Sequence, residues 1–380
     1  MGYWFFATTV MGLEDVSAGE LSSIVGRRVE ADVGKVFFQA RLEDIPRVNY
    51  LSRTAHKVAL MVLRERFETL EDVYRASREV DYTELIAPDQ SFAVRAERIG
   101  VHPFTSVDVA STVGQAVIDS YRSSRGVRLR VDLDNPDVEL LCLVRHDELL
   151  LGVNTTGESL HRRGYRVWSH PAAISTTLAS SILILSGWRP GEGLLDPMCG
   201  GATIPIEAAL MASRYPPGEF RLRGRGFAFT RLAFVDPSWL AEVREEALSR
   251  VVKESEPIIG IEVNPKFLAG GLENVRSAGV GWASSLIAGD SRRLRAFLRD
   301  VPEDVVTNPP YGIRMRRGRM DRFYASILRA LADAGVARVT LITAARRRLL
   351  EAAEAVGAEV EVCREVLHGG MKAYVFRLRL

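Results

Sequence analysis

The chain has 380 residues, 47% of them hydrophobic and 26% charged, enough apolar material for two or three packed domains. Its formal charge of +2 permits a nucleic-acid partner without demanding one, and no run of about 18 uncharged apolar residues marks a membrane span. The charge is uneven: residues 1–165 carry 20 Lys and Arg against 25 Asp and Glu, residues 166–380 carry 30 against 23.

Residues 1 to about 65 read as a small α+β unit. Trp4–Thr9 is a strand, Leu13–Leu21 a helix, and Val29–Val33 with Lys35–Gln39 a hairpin around Gly34. Another helix begins at Ile45. A second unit follows to about residue 160. Leu70–Tyr74 starts a helix, Gln90–Arg98 alternates as a strand, and Phe104–Tyr121 has helical spacing with Ser106 as the expected cap. Val127–Leu133, Val138–Val144 and Glu148–Asn154 complete it as strands. Arg95, Arg98, Arg128 and Arg130 are candidate phosphate contacts, although the acidity of this half weighs against them.

A polar stretch near 161–166 marks a boundary, and residues 161–187 form a linker and first helix. That helix is expected to start at Ser169 or His170, with Pro171 in its first turn, and to run over Ala172–Ser186. From 188 to 380 strands and helices alternate, the pattern of a doubly wound α/β sheet. Leu194-Leu195-Asp196 leads through Pro197-Met198-Cys199-Gly200-Gly201-Ala202 into a helix from Thr203. The two glycines let backbone approach a ligand at a helix N-terminus, where a carboxylate is favoured. Without G-x-G-x-x-G or a Lys-Ser/Thr pair, the turn suits S-adenosylmethionine better than a dinucleotide or a triphosphate. Glu262, at the end of Pro257–Glu262, is placed to accept from ribose hydroxyls, and Asp290, after Leu286–Gly289, to meet an adenine amine; Val263 and Ser291 flank them. Singly, such acids are more often solvated charges or helix caps.

The fourth strand, Asp304–Thr307, stops at Asn308-Pro309-Pro310-Tyr311. Paired prolines force an extended exit, so the Asn308 side-chain oxygen and the Pro309 carbonyl become two acceptors beside the Tyr311 ring. Two acceptors and a ring match an exocyclic nucleobase amine, which delocalisation makes a poor nucleophile until its two N–H groups are held. Arg314, Arg316 and Arg317 follow in a basic loop. Upstream, Pro216-Pro217-Gly218 opens an insertion bearing Arg223, Arg225, Phe227 and Phe229, either an RNA contact or a surface excursion anchored by the two rings. Strands at Arg338–Ala344, Val360–Glu365 and Ala373–Leu380 close the sheet. Cys142, Cys199 and Cys363 fall in no metal spacing, so no metal is expected, and reduced thiols without a leader-like start point to a cytoplasmic protein.

Phe92–Gly100, Phe104-Thr105-Ser106 and Val131–Pro136 resemble a THUMP domain. Together with Asp196–Gly200, His170-Pro171-Ala172 and Asn308–Tyr311, they make nearly the whole chain resemble archaeal and bacterial THUMP-bearing tRNA guanine-N2 methyltransferases, most closely those acting on guanosine 6. The resemblance implies a ferredoxin-like unit (1–65), a THUMP domain (66–160) gripping the tRNA 3′ end and acceptor stem, and a Rossmann-like methyltransferase domain (188–380), acting as a monomer. It implies an acceptor site of Asn308, Pro309 and Tyr311. It also implies a cofactor pocket of His170, Pro171, Ala172, Asp196, Cys199, Gly200, Gly201, Ala202, Thr203, Glu262, Val263, Asp290, Ser291 and Asn308. Gly200-Gly201-Ala202-Thr203 departs from the usual Gly-Ser-Gly-Thr, so Ala202 carries a steric cost if its φ is positive. The competing readings are position 10, where Asp usually replaces the Asn, adenine-N6 methylation, and a non-catalytic tRNA-binding protein.

Overall fold

The computed structural model describes all residues except Met1, Arg225 and 312–316, and the side chains of 317–321 and 368 are not described. Arg225, Arg314 and Arg316, and the Arg317 side chain, therefore lie outside the described residues. The chain forms two units: Met1–Thr9, Ala18–Leu160 and Arg221–Glu245 make the first; Val10–Ser17, His161–Phe220 and Glu246–Leu380 make the second.

The first unit is built on one sheet of eight strands: β1 (Tyr3–Thr8), β2 (Val29–Asp32), β3 (Lys35–Ala40), β4 (Lys57–Arg66), β5 (Ser91–Ile99), β6 (Arg130–Val131), β7 (Val138–Arg145) and β8 (Glu148–Asn154). Their order is β2-β3-β1-β4-β8-β7-β5-β6. β4 has no counterpart among the elements expected from sequence, because its unbroken apolar run does not alternate. It pairs antiparallel with β1 and with β8, so the expected boundary after residue 65 falls inside a strand. The strand expected at 127–133 shrinks to Arg130–Val131, since Gly126 (φ +71) ends the preceding helix and Asp132 Oδ1 gathers the Asp134 and Asn135 amides into a turn. Thr105, not Ser106, caps that helix. Its side chain accepts from the Asp108 N–H while the Asp108 carboxylate accepts from the Thr105 N–H, a capping box.

The second unit holds β9 (Leu194–Asp196), β10 (Ile258–Glu262), β11 (Ser284–Ala288), β12 (Asp304–Thr307), β13 (Arg338–Thr343), β14 (Glu359–His368) and β15 (Met371–Arg379), in the order β11-β10-β9-β12-β13-β15-β14. β9 to β13 run parallel and β15 runs antiparallel to β13. Neighbouring residues go to opposite cores. Leu194, Ile258, Val306 and Ile342 pack with the helices Thr176–Ser186 and Thr203–Ala212, while Leu195, Ile259, Val305 and Leu341 pack with Arg317–Asp333 and Arg346–Ala355. Burial on both faces is why these strands are continuous apolar runs rather than alternating ones. No helix among the described residues is long and apolar enough to cross a membrane.

One expectation fails next to the site. The helix after the linker begins at Thr176, capped by the Ser175 side chain accepting from the Leu178 N–H, so Ala172 precedes it. Ser175 competes with Ser169 and His170 for the cap and wins, leaving Pro171-Ala172 as a turn followed by extended chain to Ser175.

Candidate active site

The sheet of the second unit winds outward from β9 to β11 on one side and from β12 to β13 on the other. Its direction reverses between β9 and β12, where a doubly wound sheet opens a crevice at its carboxyl edge. Asp196 ends β9 and Asn308 follows β12, one on each side of that reversal, while Glu262 ends β10 and Asp290 follows β11. The four polar strand ends picked out from the sequence thus share one edge.

Asp196 is buried, and its Oδ1 accepts from Thr307 Oγ1 (2.7 Å) and the Met198 N–H (3.1 Å). Burial pushes its pKa up to about 7. The glycine turn that follows is held by Glu262, whose Oε2 accepts from the Gly200 N–H (3.0 Å) and whose Oε1 accepts from the Asn264 N–H (2.8 Å). Each oxygen keeps a further lone pair for a ligand hydroxyl. Gly200 has φ +52, and Ala202, fully buried, has φ +62. The strain anticipated for a side chain at that position is therefore present. Thr203 opens the helix and accepts from Arg166 at 3.0 Å.

Cys199 faces inward: its sulfur lies 2.9 Å from where a Cβ on Gly260 would stand, and burial holds the thiol well above its usual pKa. Val263, by contrast, is 71% exposed beside Glu262. Ser291 is buried and donates to the Pro197 carbonyl. Asp290 grips Arg292, with Nε 3.1 Å and Nη2 2.5 Å from Oδ2, and this partner holds its carboxyl below the usual range.

His170-Pro171-Ala172 forms a turn in which His170 Nδ1 accepts from the Ala172 N–H (3.0 Å) and the His170 carbonyl accepts from the Ala173 N–H (3.1 Å). An accepting Nδ1 puts the proton of the neutral ring on Nε2, and burial pulls the His170 pKa down. The ring stands 3.4 Å from where a Cβ on Gly200 would be. Across the reversal point, Asn308 Nδ2 donates to the Ala172 carbonyl (3.2 Å). The other amide atom, Oδ1, is buried with no hydrogen-bond partner among the described residues, and so is the Tyr311 hydroxyl. The proline turn itself is pinned, for Tyr324 donates to the Pro310 carbonyl (3.3 Å) while sharing a 2.7 Å bond with Thr343.

The candidate RNA-binding arginines are less free. Arg95 engages Glu139 and the Leu133 carbonyl, Arg98 the Gly100 carbonyl and His102 Nδ1, and Arg130 lies 3.8 Å from Asp137. Arg128 and Arg223 are exposed. The insertion's Phe227 and Phe229 stack at 5.0 Å and are buried in the first unit, the anchoring alternative raised by the sequence.

Sequence reasoning missed three supports. Thr307 bridges β12 to Asp196. Glu207 is wholly buried and accepts from Arg163 (3.0 Å), Tyr165 (2.8 Å) and Ser180 (2.8 Å). Asn274, also buried, joins residues 167–168 to the glycine turn. The only sequence signal for Asn274 was its place four residues after Gly270 on one helix face.

Residues 163–373 match the family described as RMKL-like, methyltransferase domain; residues 67–154 match the THUMP domain and 4–59 the RlmL ferredoxin-like domain. A tRNA (guanine(6)-N2)-methyltransferase of Methanocaldococcus jannaschii is 38% identical over 99% of this chain and 100% of its own length. One from Archaeoglobus fulgidus is 37% identical, covering 98% of this chain and 92% of that protein. The solved structure of TrmN from Thermus thermophilus superposes with a TM-score of 0.72 at 27% identity, covering 99% of both chains. The chain belongs to the RMKL-like methyltransferase family, in its THUMP-bearing form.

Proposed function

We propose that this protein is an S-adenosylmethionine-dependent tRNA (guanine-N2)-methyltransferase acting on guanosine 6 in the acceptor stem, cytoplasmic and monomeric. The observation that carries the chemistry is the buried Oδ1 of Asn308, without a hydrogen-bond partner among the described residues, whose Nδ2 is already committed to the Ala172 carbonyl. A buried acceptor without a donor is costly, and a guanine N2 hydrogen would satisfy it. The position on the tRNA rests on the two relatives named for guanosine 6, each similar over nearly its whole length. In this reading residues 1–65, 66–160 and 188–380 serve as ferredoxin-like, THUMP and methyltransferase domains, joined through 161–187.

The residues at the edge of the second sheet fit the cofactor. Glu262 retains lone pairs for ribose hydroxyls, Val263 offers an exposed apolar surface, and the His170 Nε2–H lies beside the glycine turn. Asp290 accepts from an adenine amine once Arg292 yields. When bound, S-adenosylmethionine supplies an electrophilic methyl group. The chain prepares the acceptor: Asn308 Oδ1 and the Pro309 carbonyl hold the N2 hydrogens, and the Tyr311 ring stacks on the extruded base. By analogy with oxyanion-hole donors, each such acceptor contributes roughly 2.7–4 kcal/mol to lowering the barrier. No strong base is needed, because the nitrogen becomes acidic as it is methylated and loses its proton to water.

The test is nucleoside mass spectrometry on a reacted tRNA transcript, with the modified position mapped by single-nucleotide replacement. N2-methylguanosine lost on replacing guanosine 6 is the expected result. N6-methyladenosine, a modification at position 10, or tRNA binding with no methyl product would overturn it.

A further inference from the structure

The helix Pro265–Ala278 presents Gly270, Gly271 and Asn274 on one face. A Cβ on Gly270 would lie 2.0 Å from the Trp168 ring, so the indole occupies the space this glycine leaves. A Cβ on Gly271 would lie 2.9 Å from the Gly200 carbonyl, so the glycine turn also rests on this face. Between them Asn274, 1% exposed, uses its amide completely. Its Oδ1 accepts from the Val167 N–H (3.0 Å) and the Trp168 N–H (2.9 Å), and its Nδ2 donates to the Trp168 carbonyl (2.9 Å) and the Gly201 carbonyl (3.0 Å). Trp168 in turn packs on His170 and Phe267, with ring centroids 6.0 Å from each. Two residues beyond His170, the Ala172 carbonyl receives the Asn308 amide.

We infer that Asn274 is a positioning residue for methyl transfer. It fastens the segment carrying the His170–Ala172 turn to the glycine turn, and so fixes the cofactor pocket and the amide orientation of Asn308 together. The inference rests on the reading of this site as a methyltransferase centre. Asparagine is required by the pattern of the bonds. Two backbone donors and two backbone acceptors converge on one side chain, and only a primary amide matches all four. Aspartate would keep the two accepted bonds and set a carboxylate oxygen against two carbonyls.

The experiment compares Asn274→Asp with the unmodified protein by titration calorimetry with S-adenosylmethionine, initial rates on tRNA, and thermal melting. The expected result is a cofactor Kd raised at least tenfold and a kcat lowered at least tenfold, with the KM for tRNA within twofold, measured well below the melting point. Misplacement of about 1 Å costs on the order of a hundredfold in rate, so the effect is readable. A folded Asn274→Asp protein with cofactor Kd and kcat both within threefold of the unmodified protein would overturn the inference. If that variant fails to fold, Asn274→Ala decides, since it removes the four bonds without setting a carboxylate against the two carbonyls: a cofactor Kd raised at least tenfold supports the inference and one within threefold overturns it. Absence of cofactor binding by the unmodified protein would instead sink the methyltransferase reading.

Discussion

At the scale of single residues, Asn308 carries the proposed chemistry and Ala202 a backbone cost. Replacing Asn308 with Ala removes its Oδ1 acceptor and the Nδ2 bond to the Ala172 carbonyl, while the segment before the His170–Ala172 turn stays fastened through Asn274. The expected outcome is a kcat lowered at least a hundredfold, as when one oxyanion-hole donor is lost, with the cofactor Kd within threefold. Rates and calorimetry on the same preparation check it, and unchanged turnover would remove Asn308 from the mechanism. Ala202 has a left-handed backbone and a fully buried methyl group. Relief of strain in Ala202→Gly is worth about 1–2 kcal/mol, whereas lost methyl burial costs about 0.8 and added chain entropy about 0.5–1. These terms cancel, which explains how alanine persists in a glycine turn. Denaturant melts of Ala202→Gly are expected within about 1 kcal/mol of the parent. Asp196 makes stability depend on pH. Its folded pKa, about 7, lies above the 3.8 usual for a free aspartate, so the folded state binds the extra proton. The stability this confers is complete below pH 4 and is lost as pH rises through 7, on the order of 4 kcal/mol in all. Asp196→Asn should therefore flatten the melting temperature between pH 4 and 7 and raise it at pH 8, while weakening cofactor binding. An unaltered pH profile would show that the carboxyl is not desolvated as described.

Helix starts and strand ends were unequally legible in the sequence. Asp196, Glu262, Asp290 and Asn308 could be found because each follows an apolar run that stops abruptly, a local pattern a doubly wound sheet requires. The turn at His170 was hidden by its own chemistry, since proline after a polar residue is a good helix start and only Ser175 shows where the helix begins. Asn274 was harder still, because a buried amide in a helix has the same sequence as a solvated one until its four backbone partners are known. The cap at Thr105 rather than Ser106 offers a direct check. Thr105→Ala is expected to cost about 1 kcal/mol in urea denaturation and Ser106→Ala close to nothing, and the reverse order would restore the sequence-based assignment.

At the scale of the whole chain, the two units exchange segments that no local pattern announced. Residues 10–17 belong to the unit that otherwise starts at His161, and residues 221–245 belong to the other. Val10, Leu13 and Val16 are buried in the core that contains Leu178, Ile206 and Val375. A fragment spanning 161–380 lacks those three side chains. At about 1.5–3 kcal/mol each, their loss rivals the roughly 5–15 kcal/mol that keeps a domain folded. The fragment is expected to bind a hydrophobic dye and melt without cooperativity, and a sharp, full-length-like transition would refute this.

The attachment of residues 10–17 also sets an order of events during synthesis. The Leu367 N–H donates to the Met11 carbonyl at 3.1 Å, Arg364 reaches Asp15 at 2.5 Å, and a Cβ on Gly12 would lie 2.0 Å from the Glu365 carbonyl oxygen. Residues 10–17 thus meet these partners only after the segment 364–367 has been made, so this contact closes one of the longest loops in the chain and forms late in folding.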